Sequence, residues 1–205
     1  KRKVETRIVE CSPWVAPKGG SDCDKCNEPF KDCSEYRCRS LGQTCKIVNE
    51  GSIEVKCVDM NPNDVNSPLI SPDQEVLTKG YTLNVFENGF KITPKINPFA
   101  PIRFGIKTNE LAVCKLMDKH TNKIDEMTNL LGDGLFREEH NATLSLIQGK
   151  DFTFFVRCED ASGNSNVREY LINLATEQGP DLTPPVIESA SLKDGAKLRA
   201  DLEKL

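Results

Sequence analysis

Cysteine is the residue in this chain whose number and spacing promise chemistry. Seven of the nine lie close together, at Cys11, Cys23, Cys26, Cys33, Cys38, Cys45 and Cys57, and the other two are Cys114 and Cys158. Cys23-Asp24-Lys25-Cys26 has the spacing that grips a zinc ion from one turn, and Cys33 and Cys38 would complete a set of four thiolates. The later spacings are loose and no second Cys-x-x-Cys follows, so a disulfide framework is favoured, with zinc on Cys23, Cys26, Cys33 and Cys38 as the alternative. A thioredoxin-like redox pair would need a flanking βαβ pattern, which is missing. Six of the seven clustered cysteines can pair among themselves; Cys11, farthest from the cluster, is the expected odd one. Cys114 and Cys158 are the natural candidates for one further disulfide.

Other titratable residues support no catalytic site. His120 and His140 are the only histidines, neither sits in a nucleophile motif, and both flank a long connection, so both are expected at the surface. Asp118, Asp125, Glu126, Asp133, Glu138 and Glu139 gather in that connection without EF-hand spacing, and a solvated acidic loop is preferred to a Ca²⁺ site. Asn141-Ala142-Thr143 is the one Asn-x-Thr sequon, making Asn141 the candidate glycosylation site. Trp14, Phe30 and Tyr36 could stack on sugars, but are expected to be core. A net charge of −4 with interspersed signs gives no footprint for nucleic acid.

The elements that must position these residues divide the chain of 205 residues into two domains. Residues 1–60 form a cysteine-rich module, starting from an edge strand in 1–10. Its apolar residues are too few to hold a fold, so the cysteines must restrict the unfolded chain, at about 2–4 kcal/mol per bridge. A short helix is expected over Ser34 to Leu41 with Ser34 as N-cap and Cys38 inward, then a hairpin of Lys46 to Asn49 and Ile53 to Val58. Residues 61–74 read as a linker stiffened by proline. No stretch is long and apolar enough to span a bilayer; with no initiator Met or leader pattern, the chain is expected to be a mature or excised piece.

Residues 75–178 alternate as a β domain organised around Asp151–Asn166. Phe152, Phe154 and Val156 lie on one face of a strand and Thr153, Phe155 and Arg157 on the other, which suits a central position. A turn over Asp160 to Asn164 leads into Val167 to Leu174, a hairpin. Seven strands are expected, at Tyr81 to Phe86, Phe90 to Thr93, Ile102 to Thr108, Ala112 to Met117, Thr143 to Ile147, Phe152 to Asp160 and Val167 to Leu174, as a sandwich wants. Asp118 to Glu139 is the long connection, with a short helix at Lys123 to Leu131. In residues 179–205, Asp181 to Ile187 echoes Asp64 to Ile70, as a truncated repeat or a tail strand, with Val186 to Leu192 expected to pair with a sheet edge.

Ser67-Pro68, Thr108-Asn109-Glu110 before Cys114, and the run from Phe154 to Asn164 together resemble the immunoglobulin-like or fibronectin type III-like modules of archaeal and bacterial cell-surface proteins. The resemblance covers Ser67 to Thr176, about half the chain. It implies a seven-stranded β-sandwich that acts outside the cell as a non-catalytic structural or adhesive module, with Phe136 as an aromatic anchor in the crossover. The block from Cys11, with Cys-x-Pro-Trp and CSEYRCRSLGQTC, is similar to a cysteine-rich module that precedes such domains. Expected partners are other surface-protein modules or subunits. The runner-up is a polysaccharide-binding accessory region of a secreted hydrolase.

Overall fold

A computed structural model describes residues 15–147 and 149–179. Cys11, Trp14 and the strands expected at 1–10 and 186–192 lie outside these residues. The cysteine-rich block is a 3-10 turn (Cys23–Asn27), α1 (Glu35–Leu41), and a hairpin of β1 (Cys45–Val48) and β2 (Lys56–Asp59). Ser34 caps α1: its hydroxyl accepts from the Arg37 N–H at 3.2 Å, satisfying one of the orphan donors of the first turn. The hairpin is shifted from its expected bounds: Cys45 faces Asp59, and Ile53 is fully exposed in the turn between the strands.

Sulfur takes the place of a hydrocarbon core here. Disulfides join Cys23 to Cys45, Cys26 to Cys33 and Cys38 to Cys57, and the buried cluster consists of cysteines, with Leu41 and Ile47 against it. The Cys23–Cys45 and Cys38–Cys57 bridges tie the turn and the helix to the hairpin across sequence separations of 22 and 19. By loop-closure entropy each is worth about 3.4 kcal/mol and the short Cys26–Cys33 loop about 2.5 kcal/mol. Aromatic rings are left without a core to fill, so Phe30 and Tyr36 are exposed rather than buried as expected. Gly42 lets the chain close up where the carbonyl of Gly19 approaches: a Cβ there would lie 2.3 Å from that oxygen.

The larger domain is one sheet of eight strands, not seven: β3 (Ile70–Asp73), β4 (Thr82–Phe86), β5 (Gly89–Thr93), β6 (Pro101–Met117), β7 (Asn129–Leu130), β8 (Arg137–Ser145), β9 (Asp151–Asp160) and β10 (Tyr170–Ala175). The order is β3-β6-β9-β10-β5-β4, with β8 and β7 on the other side of β6. All neighbours are antiparallel except β10 and β5. The sheet curls into a near-closed form around a single core. Ile102, Phe104, Ile106, Ala112, Cys114 and Leu116 of β6, all at even positions, point into it, because successive side chains of a strand alternate between faces. Phe90 and Ile92 of β5, Val156 of β9, and Ile172 and Leu174 of β10 meet them.

Four expectations change for physical reasons. The strands expected at Ile102 to Thr108 and Ala112 to Met117 are one strand, because the inward parity runs unbroken through Thr108-Asn109-Glu110. Residues 61–74, expected as a linker stiffened by proline, are in part taken into the sheet: Pro68 is buried, β3 pairs with β6, and the Leu69 N–H donates to Asn109 Oδ1 at 2.7 Å. β8 begins at Arg137, inside the expected connection and six residues before the strand expected at Thr143, because polar residues outnumber apolar ones over 137–142. The helix expected over Lys123 to Leu131 is a 3-10 turn (Ile124–Glu126) followed by β7; Ile124, Met127 and Leu131 are buried at a spacing that imitates a helix.

Tyr170 stands edge-on to Phe90 in this core, and its buried hydroxyl has no hydrogen-bond partner. That burial pushes the phenol pKa up to about 12. Because an unsatisfied buried polar group costs about 1–3 kcal/mol, Tyr170→Phe is expected to leave stability unchanged or raise it by about 1 kcal/mol. Urea midpoints at constant m-value check this; a loss above about 1 kcal/mol would contradict it.

Candidate functional site

All four cysteines of the zinc alternative are held in disulfides: Cys26 and Cys33 with each other, Cys23 with Cys45 and Cys38 with Cys57. Sulfur in a disulfide carries no thiolate charge, so this arrangement offers no thiolate zinc site. Cys114 and Cys158 face each other directly on β6 and β9 and are joined by the fourth disulfide. The bridge links neighbouring strands of one sheet.

The histidines divide. His120 is exposed, with its Nδ1 against Glu169, whose other oxygen accepts from the Thr121 N–H at 3.0 Å. Arg157 lies buried beneath, its Nε 3.6 Å from Glu169 and donating to Thr121 O, its NH1 donating to Asn166 O at 2.8 Å. These groups are spent in fastening the 118–121 loop and the β9–β10 loop onto the outer face of β9. A buried charge has to be paired and hydrogen-bonded in this way. His140, expected at the surface, is instead buried on β8 with Nε2 at 3.0 Å from Arg137 O. Its burial holds the imidazole below the ordinary histidine range.

The acidic connection does not converge. Asp125 meets Lys18, Asp133 meets Arg137, and Glu139 meets Lys107, all as ion pairs at partly exposed positions. Three other carboxylates do converge. Asp64, Glu110 and Asp160 bring an oxygen each within 4.8 Å of one another. Each is placed by a local device: Asp64 by the segment before β3, Glu110 by the irregularity between Lys107 and Ala112, where β6 spends five residues against two of β8, and Asp160 by the turn that ends β9. Asp160 is buried; its Oδ1 accepts from the Gly163 and Asn164 N–H groups at 2.7 and 2.8 Å, and its Oδ2 from Asn164 Nδ2 at 2.9 Å. The same Asn164 Nδ2 donates to Asp64 O at 3.0 Å. Desolvation, then the charges of Asp160 and Asp64, raise the Glu110 pKa above the usual carboxylate value. Three such oxygens could serve a hard cation such as Ca²⁺, though alone they fall short of the six to eight that ion takes.

This cluster sits where the cysteine-rich block meets the eight-stranded sheet. Lys18 reaches Glu159 at 2.9 Å, and the Gly19 N–H donates to Ala161 O at 2.8 Å. A crevice of about 670 Å³ opens beside them, lined by Gln43, Thr44 and Met60 from one side and Glu110, Leu111 and Phe136 from the other. Phe136, expected as an aromatic anchor in the crossover, is half-buried at this crevice. Asn141 lies partly exposed on β8, its Oδ1 accepting from Arg103 at 3.2 Å.

No protein-family profile matches the chain, and comparison with curated proteins finds no similar one. The cluster escaped sequence reasoning because its members are 46 and 50 residues apart and follow no motif. The signals present were Asn109-Glu110 interrupting a strand and Asp160 opening a glycine turn.

Glu110 supplies the prediction. A carboxyl whose folded pKa is raised costs no stability below its unfolded pKa, and stability falls as pH rises through the folded value. Glu110→Gln is therefore expected to raise the unfolding midpoint at pH 7 and to give no gain at pH 4. Thermal unfolding across that range tests it; a destabilised variant at pH 7 would contradict the repulsion.

Proposed function

We propose that this chain is an extracellular structural or adhesive unit of a cell-surface protein, without catalysis of its own, and that its larger domain is an immunoglobulin-like or fibronectin type III-like sandwich. The observation that carries this reading is the seam: a disulfide-held block seated on the turn of the central hairpin by Lys18 and Gly19. Such a joint transmits load between modules, as a spacer needs. Four disulfides suit an oxidising environment. No helix among the described residues is long and apolar enough to cross a membrane. The buried Pro68 at the opening supports the sandwich family, while the eighth strand and a Cys114–Cys158 bridge within one sheet rather than between two depart from it. Partners in this reading are neighbouring modules or subunits of the same surface assembly.

The polysaccharide-binding alternative has one observation in its favour. Phe30 and Tyr36 present exposed rings on the cysteine-rich block, a placement that suits stacking on sugar faces.

Antibody against the chain should label intact source cells as strongly as lysed ones, and insoluble polysaccharides should not retain the purified protein. Labelling only after lysis would overturn the extracellular reading. Retention that is lost in Phe30→Ala and Tyr36→Ala would move the assignment to the alternative.

A further inference from the structure

Seven of the eight described cysteines are buried, and Cys33 is the one that is not. Its partner Cys26 is fully buried, so this bridge joins a partly exposed cysteine to a buried one. Cys33 and Cys26 both line a solvent-open cleft of about 350 Å³, formed with Asn27, Glu28, Lys31, Asp32 and Val55, which gives a thiol room to approach, and Cys33 is the more exposed of the two. Behind it, Cys57 Sγ is within 4.8 Å of both Cys26 and Cys33 Sγ. We infer that the Cys26–Cys33 disulfide is a thiol-exchange site, at which an incoming thiolate is captured on Cys33.

The step balances without an added oxidant. The thiolate sulfur attacks Cys33 Sγ, its electron pair forms the new S–S bond, and the Cys26–Cys33 bond breaks with its pair leaving on Cys26. The Cys26 thiolate then takes a proton from water, or returns to Cys33 and expels the guest. The module keeps its shape meanwhile. Asn27 holds the Cys57 backbone through both its N–H and its carbonyl at 2.8 Å, and Cys23–Cys45 and Cys38–Cys57 still tie turn, helix and hairpin together. Opening Cys26–Cys33 frees a loop with a sequence separation of only 7, on which Phe30 is exposed with φ of 75°.

The guest chemistry is a free thiolate, whose source is a small thiol or a cysteine of an extended peptide. The test treats the native chain, without denaturant at pH 8, with 2-mercaptoethanol in one arm and a cysteine-containing decapeptide in the other. Iodoacetamide quenching and peptide mass mapping read the products. Expected are a guest on Cys33, an alkylated Cys26, and the other three disulfides intact. Capture in the first arm alone assigns the small thiol as source, and capture in both admits peptide cysteines. Capture in neither arm, or first opening at any other bridge, overturns the inference. As a second check, Cys33 in Cys26→Ser should react with dithiobisnitrobenzoate at least about tenfold faster than Cys26 in Cys33→Ser, because exposure governs thiol reactivity; equal or reversed rates overturn it.

Discussion

Every strand on the near side of the core hydrogen-bonds to β6, and the rest of the structure depends on that one ladder. It pairs with β8 and β7 along one side and with β3 and then β9 along the other. A strand buried on one face for seventeen residues must hold its inward parity throughout, since a slip of one residue would turn Phe104 and Ile106 out to water. The irregularity between Lys107 and Ala112 spends its extra residues against β8 and keeps that parity, while bringing Glu110 to the seam. The Cys114–Cys158 bridge fixes the register of β6 against β9, from which β10, β5 and β4 follow.

The cysteine-rich block lives under the opposite constraint. It buries almost no hydrocarbon, so its order comes from reducing the freedom of the unfolded chain, and its apolar side chains are left for other uses. Val15, Phe30, Tyr36 and Ile53 are all exposed. The block leans on the sheet through polar contacts at Lys18 and Gly19.

Much of the sheet could be read from the chain, because period-two alternation is strong wherever one face is apolar. That holds for the two halves of β6; Phe152 to Asp160 was legible because bulk on both faces suits a central strand, and Ser34 because its residue type caps a helix. Alternation fails where both faces are polar, as in the first half of β8, and misleads where Ile124, Met127 and Leu131 imitate a helix. His140 looked exposed because it flanks the long connection; only the pairing of β8 with β6 turns it inward. The carboxylate cluster was beyond reach, since three separated turns have to be folded together before Asp64, Glu110 and Asp160 meet.

Hydrogen exchange of the β6 amides tests the central role of that strand most directly. If the ladder is one cooperative unit, amides at 102–107 and at 112–117 will open together, at the free energy of global unfolding and more slowly than those of β4 at the sheet edge. Exchange of the first half at a clearly lower free energy than the second would show two independent ladders joined at the irregularity, and would contradict the account.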